Sequence, residues 1–296
     1  MSEQVYLVDS SIYVFRAWHL LPDTIQDREG KPLNAVYGFA DFLVQLLEQS
    51  RARHVVCAFD KSLGVSARNR IYPEYKSNRP PAPVELKHQF TLCQQLCEHF
   101  GLPQFSHSLY EADDIIGTLA NSVRREGHRV VIVSADKDLT QFIDDDDEYW
   151  DFGRKQKLDR RRIEKRFGVK PEQIPDMLAL AGDKVDNIPG IPGVGNATAA
   201  RLLSRWGDLD TLFEHAAEVA DMKFRGAARI AGLLTEYEPT VRLARRLTGL
   251  LEVDSLPHSI QALQRQVIDP AALGDFLTTL DFSATRIERL IKAVQQ

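Results

Sequence analysis

Through the first half of the chain, short aliphatic runs alternate with longer amphipathic stretches. Val5-Tyr6-Leu7-Val8 is the first run, 54–59 the second, and Val130-Val131-Ile132-Val133 is fully apolar. A weaker run lies near 102–105. Between them, 34–48 and 84–100 read as helices, and Ile116, Leu119, Ala120 and Val123 share one face of another. Continuous β-branched runs, rather than strict alternation, mark strands buried on both sides, as in a mainly parallel sheet. The pattern therefore predicts a doubly wound α/β domain, with helices on both faces of the sheet.

After about residue 160 the strand pattern fades. Segments 160–167, 175–181, 197–205 and 210–217 read as short helices punctuated by Gly and Pro, and 232–246 and 269–294 as longer ones. The last would pack back through Leu273, Leu277, Leu280, Leu290 and Ile291. The expected organisation is an α/β core over 1–160 and a mainly helical region over 161–296, sharing an interface because no low-complexity linker separates them.

With 296 residues, 44% hydrophobic and 27% charged, the chain has ordinary globular composition and ample material for a core. No apolar run approaches the ~18 residues of a membrane span, and Met1-Ser2-Glu3-Gln4 is not leader-like, so a cytoplasmic protein is expected. Cys57, Cys93 and Cys97 form neither a disulfide framework nor a zinc knuckle and read as reduced thiols. The eight histidines include no HxxxH pair and no evident partner for a serine nucleophile.

The net charge of −5 is unevenly spread. Residues 1–160 hold 19 Lys+Arg against 24 Asp+Glu, and 161–296 hold 18 of each. Within the acidic half, 61–90 runs the other way: Lys61, Arg68, Arg70, Lys76, Arg79 and Lys87 face only Glu74 and Glu85. Segregated acids and bases suggest separate tasks.

The acids are informative in their positions. Asp9 ends the first strand and Asp60 the second; Glu111, Asp113 and Asp114 follow the third; Asp136 and Asp138 follow the fourth. All fall at strand carboxyl ends, the edge where open α/β sheets bind ligands. Any one acid is explained as a helix N-cap. Four strands delivering acids to one edge exceed what capping needs, and clustered carboxylates require a compensating cation, for which Mg²⁺ or Mn²⁺ is suited. A haloacid-dehalogenase-type phosphatase would need an aspartate where Ser11 stands, and neither a P-loop nor GxGxxG follows the first strand.

The helical half adds Asp183 and Asp186, spaced i, i+3, directly before Ile188-Pro189-Gly190-Ile191-Pro192-Gly193-Val194-Gly195. Glycines exposing backbone amides at a helix start make a phosphate site, the pattern of a helix-hairpin-helix over about 175–205. An ordinary Gly/Pro turn between packed helices is the plainer reading.

Taken in order, Val8-Asp9-Ser10-Ser11, Ala58-Phe59-Asp60, the 72–80 segment Tyr-Pro-Glu-Tyr-Lys-Ser-Asn-Arg-Pro, Glu111-Ala112-Asp113-Asp114, Asp136-Lys137-Asp138, 182–187, the hairpin and Phe224-Arg225-Gly226-Ala227 resemble the bacterial and phage 5′ nucleases. That family includes flap endonucleases and the 5′→3′ exonuclease domain of DNA polymerase I, and the likeness to a stand-alone nuclease covers nearly the whole chain. It implies two divalent ions, Asp9, Asp60, Glu111, Asp113 and Asp136 around one, and Asp138, Asp183 and Asp186 around the other with Asp136 near, while Asp114 supports the cluster from behind. It implies a basic clamp or arch over 61–90, with Lys76 and Arg79 at the scissile phosphate, Arg68 on the strand, Arg16 at the phosphate near Asp9, and Tyr75 stacked on a base. Gly193, Val194, Gly195 and Arg225 would contact duplex DNA, with K⁺ at the hairpin. The implied substrate is 5′-flap, nicked or branched DNA, or an RNA primer on DNA, cut by a monomer in replication or repair.

Some features keep plain readings. Segment 144–148, four aspartates and a glutamate, reads as a solvated loop, and Trp18, Trp150 and Trp206 as packing residues. The clamp cations alone would read as solvated loop charges. The chain departs from the family at Asn196-Ala197, where a lysine is common, and at Ala67, where an aromatic is common. A DNA-junction binding protein with little hydrolysis and a PIN-type ribonuclease are the alternatives. The complete acid set argues against the first, and the hairpin with its aspartate pair against the second.

Overall fold

A computed structural model describes residues 2–61 and 66–295; positions 62–65 of the expected clamp lie outside the described residues. The elements run β1 (Gln4–Asp9), α1 (Ser10–Leu20), α2 (Asn34–Ser50), β2 (His54–Asp60), α3 (Ala67–Ile71), α4 (Val84–His99), β3 (Gln104–His107), α5 (Ala112–Arg125), β4 (Arg129–Val133), β5 (Glu148–Asp151) and β6 (Gln156–Leu158). Then follow α6 (Arg160–Phe167), α7 (Ile174–Ala181), α8 (Asn196–Trp206), α9 (Leu209–Glu214), α10 (Ala227–Thr248), α11 (Pro270–Thr279) and α12 (Ala284–Val294). Short 3₁₀ turns link several of them, including Lys137–Phe142 after β4.

Six strands form one sheet in the order β3-β2-β1-β4-β5-β6. The first five are parallel, and β6 returns antiparallel to β5. In β1 the side chains divide by parity. Val5 and Leu7 join Val56, Val130 and Ile132 in a core with α5, and that core continues without a break into α7, α8 and α10. Tyr6 and Val8 join Val55, Cys57, Val131 and Val133 against α1, α2, α4, α11 and α12. Helices thus cover both faces, as the continuous apolar runs predicted. Side chains alternate across a strand, so one short strand feeds two cores.

The structure adds β5, β6 and the short helix α3 to the sequence reading, and differs from it in three further places. Helix α1 starts immediately after β1 with Asp9 as its N-cap, an element that Ser10-Ser11-Ile12, buried on several sides, does not announce by periodicity. Segment 269–294 is two helices, broken where Asp281 takes a positive φ of 55°. The acidic run is not wholly solvated: Asp144, Asp145 and Asp146 are exposed, but Asp147 is buried and leads into β5. Asp147 accepts from Arg124 Nε at 2.7 Å, from the Val130 amide at 2.9 Å and from the Asp144 amide at 3.0 Å. A cation from α5 and the start of β4 convert one carboxylate of a repelling run into a tie. Trp150 is buried as expected, with Lys157 over its ring at 4.3 Å.

That tie predicts unequal costs along the acidic run. Asp147→Ala should destabilise the chain by about 2–4 kcal/mol, because Arg124 and the Val130 amide lose their partner together. Asp146→Ala, in the exposed part of the run, should stay within about 0.5 kcal/mol. Urea unfolding of the two variants checks this; equal midpoints would remove Asp147 from the framework.

Candidate active site

Four strands end at one edge, and the acids stand there because β-strand termini and helix first turns meet. Asp9 closes β1 and caps α1, accepting from the Ile12 amide at 3.4 Å, and Ser134 Oγ donates to its other oxygen at 2.7 Å. Asp60 closes β2 and accepts from the Ala112 amide at 2.9 Å, while its own amide donates to Ser11 Oγ at 2.8 Å. Glu111 caps α5, and Asp113 and Asp114 occupy its first turn. Asp136 caps the turn after β4, accepting from the Asp138 amide at 2.9 Å. Negative side chains at helix starts are favourable in themselves, which eases the local cost of gathering them.

The helical half completes the cleft. Gly182 ends α7 and takes a φ of 73°, and a Cβ on Gly190 would fall 2.2 Å from its amide nitrogen, so two chain segments meet where only hydrogen fits. This close approach folds Asp183–Asn187 into a loop closed by reciprocal Asp183–Ile188 backbone bonds of 2.9 and 2.7 Å. Glu111, Asp113 and Asp138 from the sheet side then line one cleft with Asp183 and Asp186 from the helical side.

Cations partly offset this density of charge. Lys76 Nζ lies 2.8 Å from Glu111 Oε2 and 3.8 Å from Asp186 Oδ2, and Arg79 pairs with Asp186. The Tyr75 hydroxyl donates to Glu111 at 3.0 Å and to Asp186 at 3.3 Å. Burial would raise Glu111, but Lys76 and Arg68 hold its carboxyl below the usual range. For the other acids burial and neighbouring carboxylates outweigh the help of nearby lysines or hydrogen bonds. Burial, then Asp60 and Asp136, pushes Asp9 up to about 7. Burial, then Asp136, pushes Asp138 up to about 6, though Lys137 opposes it. Burial, then Asp9 and Asp136, pushes Asp113 well up, and burial, then Glu111, raises Asp60. Among the described residues no three of these carboxylates already stand as a ligand shell.

Several residues sit elsewhere than the sequence suggested. Arg68, expected on the DNA strand, is buried. Its guanidinium makes a two-pronged pair with Asp114 at 2.7 and 2.8 Å and donates to the Leu247 and Gly249 carbonyls at 2.7 and 2.9 Å. It therefore ties the clamp to α5 and to the end of α10 with four of its five N–H donors, and its remaining Nη1 hydrogen lies near Glu111, 3.7 Å away. Asp114, fully buried, also accepts from the Leu251 amide at 3.0 Å. Tyr75, expected to stack on a base, is 4% exposed, with its ring in the core. Arg16 is exposed on α1 and lies over Gly153, where a Cβ would collide with its guanidinium. Val194 is buried, and its amide is spent on the Ile191 carbonyl at 3.0 Å, which leaves it nothing for DNA. Gly193, with a φ of 81°, and Gly195, which precedes α8 with open space at its Cβ position, remain exposed, as does Arg225.

Two asparagines carry weight that the sequence pattern does not single out. Asn187 Nδ2 donates to the Glu74 carbonyl at 2.7 Å and to Ser77 Oγ at 3.2 Å, and Asn78 Nδ2 donates to the Lys184 carbonyl at 2.8 Å. With the Lys76 amide on the Asp186 carbonyl at 2.9 Å, these bonds lock the clamp turn onto the aspartate loop. Lys76 and Asn187 both take a positive φ of 55°, which asparagine tolerates and lysine rarely adopts. An asparagine directly after Asp186 is the one signal the sequence offers for this lock.

Comparison with known proteins fits this arrangement. The chain matches the 5′-3′ exonuclease N-terminal resolvase-like domain over residues 4–168 and the 5′-3′ exonuclease C-terminal SAM fold over 169–271. It is 37% identical over 211 residues to a 5′-3′ exonuclease of Aquifex aeolicus, covering 71% of this chain and 72% of that one. It is 36% identical over 288 residues to DNA polymerase I of Rhizobium leguminosarum, covering 95% of this chain but 28% of the polymerase. Its fold resembles T5 5′-exonuclease solved with bound zinc, at a TM-score of 0.67 and 19% identity over 98% of both chains. It also resembles the catalytic core of Rad2 in complex with DNA substrate, at a TM-score of 0.65 and 18% identity, over 99% of this chain and 92% of that one. The chain belongs to the 5′-3′ exonuclease family, and it spans about a third or less of the DNA polymerase I relatives it matches.

The raised carboxyls give the metal-free chain a pH signature. Asp9 titrates near 4 when unfolded and at about 7 when folded, so in that window the folded state binds the extra proton and stability falls as pH rises. Asp9→Asn removes this contribution. In the presence of a chelator, its melting temperature relative to the parent should climb by several degrees between pH 5 and pH 8. Parallel melting curves across that range would mean Asp9 is not held protonated by its surroundings.

Proposed function

We propose that the chain hydrolyses phosphodiesters near the 5′ ends of DNA, on flapped, nicked or branched substrates, with two divalent ions, Mg²⁺ or Mn²⁺. The observation that carries this reading is the cleft lined by carboxylates from both halves of the chain. The donor set is all oxygen and already crowded enough to raise several carboxyls, which fits hard divalent cations rather than zinc-type nitrogen and sulfur ligation. Asp9, Asp60, Glu111, Asp113 and Asp136 would hold one ion, and Asp138, Asp183 and Asp186, with Asp136 near, the other. When bound, such ions supply positive charge for the oxygens of the scissile phosphate and make the attacking water more acidic.

The chain's own residues supply the rest. Lys76 and Arg79 reach into the cleft as mobile counter-charges; with a phosphate present they turn from Glu111 and Asp186 toward its oxygens, where preorganised donors act most strongly on developing charge. The Tyr75 hydroxyl keeps Glu111 and Asp186 aimed into the cleft as the cations leave. Arg68 and Asp114 act from behind, fixing the first turn of α5 and hence Glu111 and Asp113. The exposed amides at Gly193 and Gly195, with Arg225 and a K⁺ ion, would hold duplex phosphates. Removal of RNA primers or repair of branched DNA is the matching cellular task.

The reading is tested by Asp183→Asn/Asp186→Asn, which leaves the sheet-side acids intact. On a 5′-flap substrate in millimolar Mg²⁺ the double variant should lose on the order of a hundredfold or more in single-turnover rate, as removal of preorganised charge stabilisation does. It should still bind the substrate, since the groups that hold phosphate lie elsewhere. Cleavage at the parental rate would refute the assignment of the second ion.

A further inference from the structure

We infer that residues 154–170, the turn and strand after β5 together with α6, form a second surface for the phosphate backbone of duplex DNA. The inference rests on the nuclease reading above and extends its footprint. In a chain of net charge −5, this segment holds Arg154, Lys155, Lys157, Arg160, Arg161, Arg162, Lys165, Arg166 and Lys170 against Asp159 and Glu164. Such an excess on one folded face creates a positive field that draws anions.

The protein supplies only part of the counter-charge. Arg154 pairs with Asp151 at 3.3 Å, Lys157 with Glu148 at 2.6 Å, Arg160 with Glu172 at 2.7 Å, with Asp145 at 3.3 Å and with Asp144 at 3.9 Å, and Arg162 approaches Asp159 at 3.8 Å. Among the described residues, Lys155, Arg161, Lys165, Arg166 and Lys170 make no ion pair, and all five are exposed. The helix is well made for display. Asp159 caps it, accepting from the Arg162 amide at 2.8 Å, and Gly168 ends it at a φ of 75°. Ile163, buried, and Phe167, half-buried, anchor its inner side, so Arg161 and Lys165, one turn apart, point the other way.

Position selects the ligand. Helix α6 packs on α8, the helix that opens at Gly195, and a Cβ on Gly168 would come within 3.4 Å of the Ala200 methyl. The basic helix is therefore continuous with the hairpin proposed to hold duplex phosphates, and α8 adds exposed Arg201 and Arg205. A repeating anion beside the hairpin meets several of these unpaired cations at once, and duplex DNA supplies one charge for every ~1.7 Å of its axis.

Binding in EDTA, followed by fluorescence anisotropy across a salt series, tests the inference without cleavage. The probes are flap substrates with a long or a short duplex arm, against the parent and Lys155→Ala/Arg161→Ala/Lys165→Ala. The variant should lower the salt slope by about 2–3 on the long arm, at roughly 0.9 for each phosphate that is no longer neutralised. The short arm should show no change, and its single-turnover cleavage in Mg²⁺ should stay within twofold. Arg161→Lys/Lys165→Arg should restore the long-arm slope. Equal slopes for parent and triple variant on the long arm would overturn the inference and leave an acidic protein as the partner of this face. If the parent binds neither probe, the nuclease reading falls first and this one with it.

Discussion

Carboxylates from two halves of a chain do not gather around one cleft unless something offsets their repulsion. Here burial and mutual charge raise Asp9, Asp113 and Asp138, and the offset comes from Lys137 beside Asp138 and from three cations that reach across from one short segment. Arg68 neutralises Asp114 in the interior, Lys76 serves Glu111 and Asp186, and Arg79 serves Asp186. The segment that carries them is itself fixed to the aspartate loop by Asn78, Asn187 and the Lys76 amide. Clamp, sheet edge and helical half therefore depend on the same charge balance. Removing one partner from a buried pair costs far more than the pair contributes, so this balance constrains the fold as well as the chemistry.

The two kinds of cation differ in what they can do next. Arg68 is buried and has committed four of its five N–H donors to Asp114, Leu247 and Gly249, and so is part of the framework. Arg79 is half exposed and Lys76 sits at the cleft wall, both on a turn rather than inside a helix. The proposed exchange of an acid for a phosphate requires a side chain held by side-chain contacts alone, while its backbone stays fixed. The positive φ at Lys76 and the bonds from Asn187 and Asn78 provide that combination.

Much of this is legible in the sequence because strand ends are. Continuous apolar runs locate β1, β2 and β4, and the acids at their ends fall on one edge before any geometry is known. The i, i+3 spacing of Asp183 and Asp186 shows only that both can point to one side; that they join the same cleft is implied by the family resemblance. Direction is not readable in this way. Arg68 and Lys76 are equally basic in a basic strip, yet the first turns inward because Asp114, 46 residues away, and the carbonyls at the end of α10 await it. Tyr75 and Val194 read as DNA-facing in the sequence, but each is claimed by the core. Asp147 hides in a run of like charges, since nothing local reveals that Arg124 and the Val130 amide converge on it. Long-range partners decide burial, and spacing along the chain does not report them.

The central claim is that the cleft's acids form one charge-frustrated cluster that divalent ions relieve. Titration of the wild-type chain with Mn²⁺ at pH 6, with bound metal counted by electron paramagnetic resonance and released protons by pH-stat, addresses it most directly. The account predicts two ions per chain, protons released on binding because raised carboxyls must ionise to ligate, and a melting temperature that rises with metal. Millimolar Mn²⁺ that neither binds, nor releases protons, nor raises the melting temperature would contradict it.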